Sequence, residues 1–377
     1  MTKNAKIFIG LVVILIVIWA GYKLAGPEAM PNANEPVKLG FIAPLSGDTA
    51  GLGENIRLAG EIARDEINQA GGIKGRQLEV IFEDGQCDPK AATSAGTKLL
   101  QIDKVTAIVG GFCSSETLAV APLANAAKIP LVSSSSTNPK ITQAGDYVFR
   151  FVPSDSFQGK FAAEYLTGVL NKKKVGILYC LTDWCVGLKD VFKARLAELG
   201  GEVAAEEGYQ QEARDLRSQI TKIKAAKAEI VYFLGYTEGT IVGLKQMKEL
   251  GVNLPIFGGD TWDDPKIITG VGEAAEGAMY SITANRALPQ SFVDEMNKRS
   301  GGKESNTYSP RVYDIFKALA QIMDKVGVDS EKIKNELYQV KDYQGIADTY
   351  TLDANGDVSV ANYIVKAFMG GKVVEIK

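Results

Sequence analysis

The chain has 377 residues, enough for two domains with a core each. Hydrophobic residues make up 46%, as in ordinary globular proteins, and a formal net charge of −3 offers no basic surface for nucleic acid. There is no histidine, so the commonest general base and the commonest metal ligand are both missing, which argues against catalysis.

Lys3 and Lys6 precede an apolar run over residues 7–20 that is broken by Gly10. A positive start before a short apolar core is the layout of a secretory signal. The run, at about 14 residues, falls short of the roughly 20 that a spanning helix needs. Residues 1–26 therefore read as a signal peptide or as an uncleaved membrane anchor, with both lysines left in the cytoplasm and the bulk of the chain outside. The expected location is the periplasm or the outer face of the cytoplasmic membrane. Residues 27–36 hold Pro27, Pro31 and Pro36 among small polar residues and read as a linker.

From Val37 onward short apolar runs alternate with helical stretches. The spacing predicts a strand over 38–44 and a helix over 54–69, whose Ile56, Ala59, Ala63 and Ile67 share one face. Gly71 and Gly72 end that helix. A strand over 78–83, a helix over 89–102 and strands over 105–110, 129–133, 175–179, 229–234 and 255–257 follow. Continuous Val/Ile/Leu runs separated by helices predict an α/β protein with parallel sheets covered on both faces.

In such sheets ligands bind beyond the carboxyl ends of the strands. Four loops there carry polar residues suited to a small zwitterion. The first, 110–116, includes Cys113, Ser114, Ser115 and Glu116. Either serine could cap the helix that follows, whose N-terminus favours an anion such as a carboxylate. The second, 133–139, is rich in hydroxyls, with Ser135 and Thr137. The third carries Tyr236, and the fourth carries Asp260 and Trp262. Asp260 could pair with an ammonium while Tyr236 or Trp262 covers an aliphatic part.

Four cysteines in an exported chain favour disulfides, and three pairings are open. Cys87 follows the second strand and Cys113 the third, at the same edge of the sheet, while Cys180 and Cys185 both follow the strand at 175–179. Without C-x-x-C spacing or histidine they do not make a usual zinc set, so no metal is expected. There is no G-x-S-x-G elbow, no Cys–His partner and no phosphate-loop motif.

The segments LGFIAPLSG at 39–47, NQAGGIKGR at 68–76, EDGQCDPK at 83–90, GFCSS at 111–115, TNP at 137–139 and AAEG at 274–277 together resemble the leucine/isoleucine/valine-binding family. These are periplasmic solute-binding proteins of branched-chain amino-acid ABC transporters, and the resemblance runs from Val37 to the C-terminus. It implies a type I periplasmic-binding fold: two doubly wound parallel-sheet lobes joined by three hinge crossings, near residues 150–153, 283–287 and 345–350. The N-terminal lobe would take 37–151 and 286–345, and the C-terminal lobe 152–285 and 346–377. The resemblance assigns carboxylate capture to Ser114, Ser135 and Thr137, ammonium capture to Asp260, and side-chain contact to Tyr236 and Trp184. It also implies a Cys87–Cys113 disulfide. Leu52 stands where some members have tryptophan, and Cys180 and Cys185 lie outside the usual pattern. The expected function is capture of a branched-chain or other aliphatic amino acid between closing lobes and its delivery to ABC permease subunits. The expected protein is a monomer without cofactor or enzymatic activity. A membrane-tethered sensor, or an amide- or urea-binding protein of the same fold, is the alternative.

Overall fold

The structure, a computed structural model, describes residues 35–284, 286–302 and 305–376. The leader at 1–26 and all but the last two residues of the linker lie outside the described residues. Among the described residues no helix is long and apolar enough to cross a membrane.

The first half of the chain alternates strand and helix: β1 (Val37–Ala43), α1 (Ala50–Gln69), β2 (Leu78–Asp84), α2 (Pro89–Lys98), β3 (Ala107–Val109), α3 (Ser114–Ala127), β4 (Leu131–Ser133) and β5 (Val148–Arg150). The strands form one parallel sheet in the order β2-β1-β3-β4-β5. The order reverses beside β1, so the loops after β1 and β3 leave in opposite directions and open a crevice at the sheet's carboxyl edge. Ile56, Ala59, Ala63 and Ile67 of α1 are buried, as their spacing predicts. Gly72 follows that helix at φ +74°, and a Cβ there would meet the Arg76 carbonyl oxygen at 2.0 Å, so only glycine fits the turn. Helix α2 starts cleanly because Asp88 caps it and Pro89 occupies its first turn. It gives way to a wider turn over Leu99–Asp103, short of the single helix expected over 89–102.

The chain then crosses to a second lobe made of α4 (Asp155–Glu164), β6 (Lys174–Cys180), α5 (Asp183–Glu198), β7 (Glu202–Tyr209), α6 (Arg217–Ala225), β8 (Ile230–Leu234), α7 (Thr237–Glu249), β9 (Ile256–Gly258), α8 (Pro265–Val271) and β10 (Met279–Thr283). It returns to the first lobe for α9 (Gln290–Ser300), α10 (Ser309–Val326), α11 (Ser330–Leu337) and the small antiparallel pair β11 (Tyr343–Gln344) and β12 (Thr349–Tyr350). Helix α10 lies along α1, with Phe316 against Gly60 and stacked near Phe41. The chain ends in the second lobe with β13 (Tyr363–Met369) and β14 (Lys372–Ile376). The second sheet runs β14-β13-β10-β9-β8-β6-β7. Strands β6 to β10 pair in parallel, and β13 and β14 close one edge antiparallel. That antiparallel edge departs from the all-parallel expectation. It is a hairpin added at a sheet margin, where no crossover helix is needed.

Residues 346–358, assigned to the second lobe by resemblance, bond to the first. Ile346 and Ala347 donate their N–H groups to Asp314, Leu352 N–H donates to Val340, and Arg150 N–H donates to Gly356. The third crossing therefore falls nearer residues 359–362, where Ala284 N–H meets the Asn362 carbonyl.

Both disulfides form, Cys87–Cys113 and Cys180–Cys185. Beneath the serine-rich loop, the Arg150 side chain is fully buried. It makes a two-pronged pair with Asp357, Nε to Oδ1 at 2.7 Å and Nη2 to Oδ2 at 2.6 Å. Its Nη1 donates to the carbonyls of Thr137 and Asn138, both at 3.0 Å. Removing one partner of a buried, hydrogen-bonded ion pair leaves the other charge uncompensated. Asp357→Ala should lower unfolding free energy by about 3–5 kcal/mol, measured by urea titration, and Asp357→Asn by less. An unchanged midpoint in the alanine variant would contradict this account of Arg150.

Candidate functional site

The carboxyl ends of the two sheets face each other, and between them lies a small cavity lined by Phe112, Ser114, Ser135, Trp184, Tyr236, Asp260, Thr261 and Tyr308. Five expected residues, Ser114, Ser135, Trp184, Tyr236 and Asp260, meet there.

The first-lobe wall is built by the loops after β3 and β4. Helix α3 begins at Ser114 itself, so its unpaired N–H groups open at the cavity wall. Neither serine caps it, contrary to expectation. The cap is supplied by the buried Glu116 carboxylate, whose Oε2 accepts from Cys113 N–H at 2.9 Å and whose Oε1 accepts from Cys87 N–H at 3.0 Å. Ser115 Oγ donates instead to the Cys87 carbonyl. Glu116 and the disulfide thus clamp the same two loops side by side. Ser114 Oγ accepts the Asn138 N–H at 3.2 Å, which joins the two first-lobe loops. Ser135 and Ser136 direct their hydroxyls to the Phe112 carbonyl. Thr137, expected among the ligand contacts, turns away from the cavity and donates Oγ1 to Asp155 Oδ2 at 2.9 Å.

The second-lobe wall comes from the ends of β6, β8 and β9. Trp184 and Tyr236 lie together with ring centroids 5.0 Å apart. Trp262 does not face the cavity. Its ring fills the core against Phe233 and Phe368, and a Cβ on Gly258 would stand 2.3 Å from it. Asp260 occupies the short turn after β9 and is buried. Its Oδ2 accepts from Tyr308 OH at 2.9 Å, and its Oδ1 has no partner. Burial pushes its carboxyl pKa up, and the Tyr308 hydroxyl and the nearby Arg311 charge oppose that rise.

Phe112, Thr261 and Tyr308 were not anticipated as lining residues. Phe112 and Tyr308 meet edge to face at 5.1 Å, opposite the Trp184–Tyr236 pair. Phe112 and Thr261 sit inside loops already singled out, beside Cys113 and Asp260. Tyr308 lies at the start of α10, after the chain has returned to the first lobe, and no strand-end pattern marks it. Leu52 is buried on α1 and is not among the lining residues. The lobes also touch outside the cavity. Asn138 Nδ2 donates to the Asp183 carbonyl, and Arg214 pairs with Asp48.

These features can accept a carboxylate at the α3 N-terminus, a cation at Asp260 and an apolar group between two aromatic pairs. No nucleophile–base pair is formed by the lining side chains.

The family of periplasmic binding proteins matches residues 36–372 of this chain. An amino acid binding protein of Pseudomonas aeruginosa is 30% identical over 338 residues, covering 89% of this chain and 90% of that protein. The fold is similar to the leucine binding protein LivK of Thermotoga maritima, with TM-score 0.84 and 27% identity over 90% of this chain and 98% of that one. It is also similar to the branched-chain amino acid transporter substrate binding protein LivJ of Streptococcus pneumoniae in complex with isoleucine. There the TM-score is 0.81 and the identity 28%, over 91% of this chain and 100% of that one.

Burial holds the Glu116 carboxyl pKa up at about 7, against the opposing N–H groups of Cys113, Cys87 and Phe112. The folded state therefore keeps a proton that the unfolded chain releases, and stability falls as pH rises through that window. Relative to Glu116→Gln, the native protein should lose stability between about pH 5 and pH 7.5. Thermal unfolding at several pH values checks this, and parallel curves for the two proteins would refute it.

Proposed function

The chain belongs to the periplasmic binding protein family, and we propose that it captures an α-amino acid with an aliphatic side chain outside the cytoplasm and hands it to an ABC transporter. The observation that carries this reading is Asp260: a buried carboxylate with one open oxygen, in an aromatic-walled cavity shared by two lobes. A buried carboxyl oxygen without a hydrogen-bond partner is unfavourable, and a ligand ammonium supplies the missing donor.

The ligand carboxylate meets the α3 N-terminus and the Ser114 hydroxyl, as helix N-termini favour anions, while Ser135, whose proton goes to the Phe112 carbonyl, lines the same wall. The Thr137 hydroxyl is committed to Asp155, so Thr137 acts through the backbone of the loop it helps hold. The aliphatic part lies between Phe112–Tyr308 and Trp184–Tyr236, where apolar area leaves water. Donors come from one lobe and the acid from the other. A ligand carrying both charges therefore binds the closed form better than the open one and shifts the population toward closure. The closed outline is what permease subunits read. Capture and release involve no bond making, and one chain suffices. The similarity to LivJ in complex with isoleucine supports an aliphatic amino acid as ligand.

Removing a buried charge partner weakens binding strongly. Asp260→Ala should lower calorimetric affinity for L-leucine by about tenfold or more, and the double change Ser114→Ala with Thr137→Ala should lower it as well. A thermal-shift panel should rank leucine, isoleucine and valine above small amides. Native-level leucine binding by Asp260→Ala, or stabilisation by amides alone, would overturn the reading.

A further inference from the structure

The Cys180–Cys185 disulfide has no part in the capture mechanism described above, yet the turn it closes carries two groups that closure uses. Cys180 ends β6, Cys185 lies in the first turn of α5, and both are buried. Between them run Leu181, Thr182, Asp183 and Trp184. Trp184 lines the cavity, with its ring centroid 5.0 Å from that of Tyr236. A Cβ on Gly259 would stand 3.2 Å from Trp184 Cζ2, so the same ring also rests on the backbone just before Asp260. The Asp183 carbonyl accepts Asn138 Nδ2 from the first lobe. A Cβ on Gly187 would stand 2.4 Å from that Asn138 nitrogen, so the first lobe seats directly on the start of α5. One closed turn thus presents an aromatic wall to the ligand and an acceptor to the opposite lobe.

The other restraints on this turn are modest. Thr182 caps α5, but its Oγ1 accepts the Cys185 N–H at 3.4 Å, a long bond. The Leu181 N–H donates to Tyr209 O at 2.8 Å, while its side chain is exposed. Leu181, Thr182 and Asp183 line a pocket between the lobes together with Asp88 and Ser115 of the first lobe, so no packed layer covers them there. The Asn138 bond exists only while the lobes are together. When they part, the disulfide still ties the end of β6 to the start of α5. A group already fixed in its bound position needs no further ordering when the ligand arrives.

Resting on the amino-acid reading above, we propose that Cys180 and Cys185 are positioning residues for ligand capture: their disulfide holds Trp184 and the Asp183 carbonyl in place before the ligand arrives. Neither cysteine lines the cavity. The effect of the bridge passes through the Trp184 ring to the apolar part of the ligand, and through the Asp183 carbonyl to Asn138 and closure.

Titration calorimetry of the full chain with L-leucine tests this. Cys180→Ala with Cys185→Ala should still unfold cooperatively and should bind leucine about tenfold more weakly than the native protein. In a Trp184→Ala background the same two changes should weaken binding by about threefold or less, since the ring they position is gone. A bridge that merely stabilised the second lobe would give the same penalty in both backgrounds. Hydrogen exchange on the native protein is a second readout. The N–H groups of Leu181 and Val186, bonded to Tyr209 O and Thr182 O, should be protected already without leucine. Native-level leucine affinity in the double alanine variant overturns the inference and leaves the capture reading intact. An undiminished penalty in the Trp184→Ala background also overturns it, as does fast exchange at those two amides that leucine slows. No heat with leucine for the native protein, with no thermal shift by any amino acid, overturns the capture reading itself and the inference with it. If the double alanine variant does not fold, the exchange comparison on the native protein decides alone.

Discussion

The Arg150 guanidinium is the charge to which the cavity-lining loop after β4 and the lobe connections are tied. A buried cation is tolerable only when fully paired and hydrogen-bonded. Here the requirement is met by Asp357, Thr142 and the carbonyls of Ser136, Thr137 and Asn138. Each partner comes from a different task. The carbonyls belong to the loop that carries Ser135. Asp357 belongs to the C-terminal return segment. Thr137, in the same loop, is bonded to Asp155 at the first residue of the second lobe's leading helix. One satisfied charge therefore fixes the cavity loop after β4, the first crossing and the approach to the third relative to each other.

On that rigid base the two lobes supply unlike chemistry. The first offers the start of α3 and hydroxyls already oriented by neighbouring carbonyls. The second offers an acid whose open oxygen lacks a partner. Glu116 and the Cys87–Cys113 disulfide hold the first-lobe loops in register, so little ordering remains to be done when a ligand arrives. The aromatic pairs stand one on each lobe, and the Tyr308–Asp260 hydrogen bond already spans the gap. Closure is thus encoded as complementarity between halves that are each incomplete.

Much of the architecture is legible in the chain because buried parallel strands need continuous apolar runs. The run at 230–234 and the α1 face of Ile56, Ala59, Ala63 and Ile67 are where their spacing predicts. Strand β7 escapes notice because it sits at a sheet edge with most of its residues half exposed, so no apolar run or clean alternation marks it. Among the site residues, those directly after strands are readable, since the parallel-sheet rule alone points to such loops. Tyr308 is not, because it reaches the cavity from the start of a helix that returns across the hinge.

The sequence by itself determined the class of the protein: an α/β alternation, cysteines placed to pair, and polar loops at strand ends suited to a zwitterion. These follow from local pattern, which each segment carries alone. The tertiary structure decided which side chains share the cavity. It turned Thr137 toward Asp155, sent Trp262 into the core, brought Tyr308 to Asp260, and placed residues 346–358 on the first lobe. The reason is physical. The direction of a side chain is set by competing partners distant in sequence, and burial favours the direction in which its polar atoms find them. Those partners exist only once both lobes have folded and met.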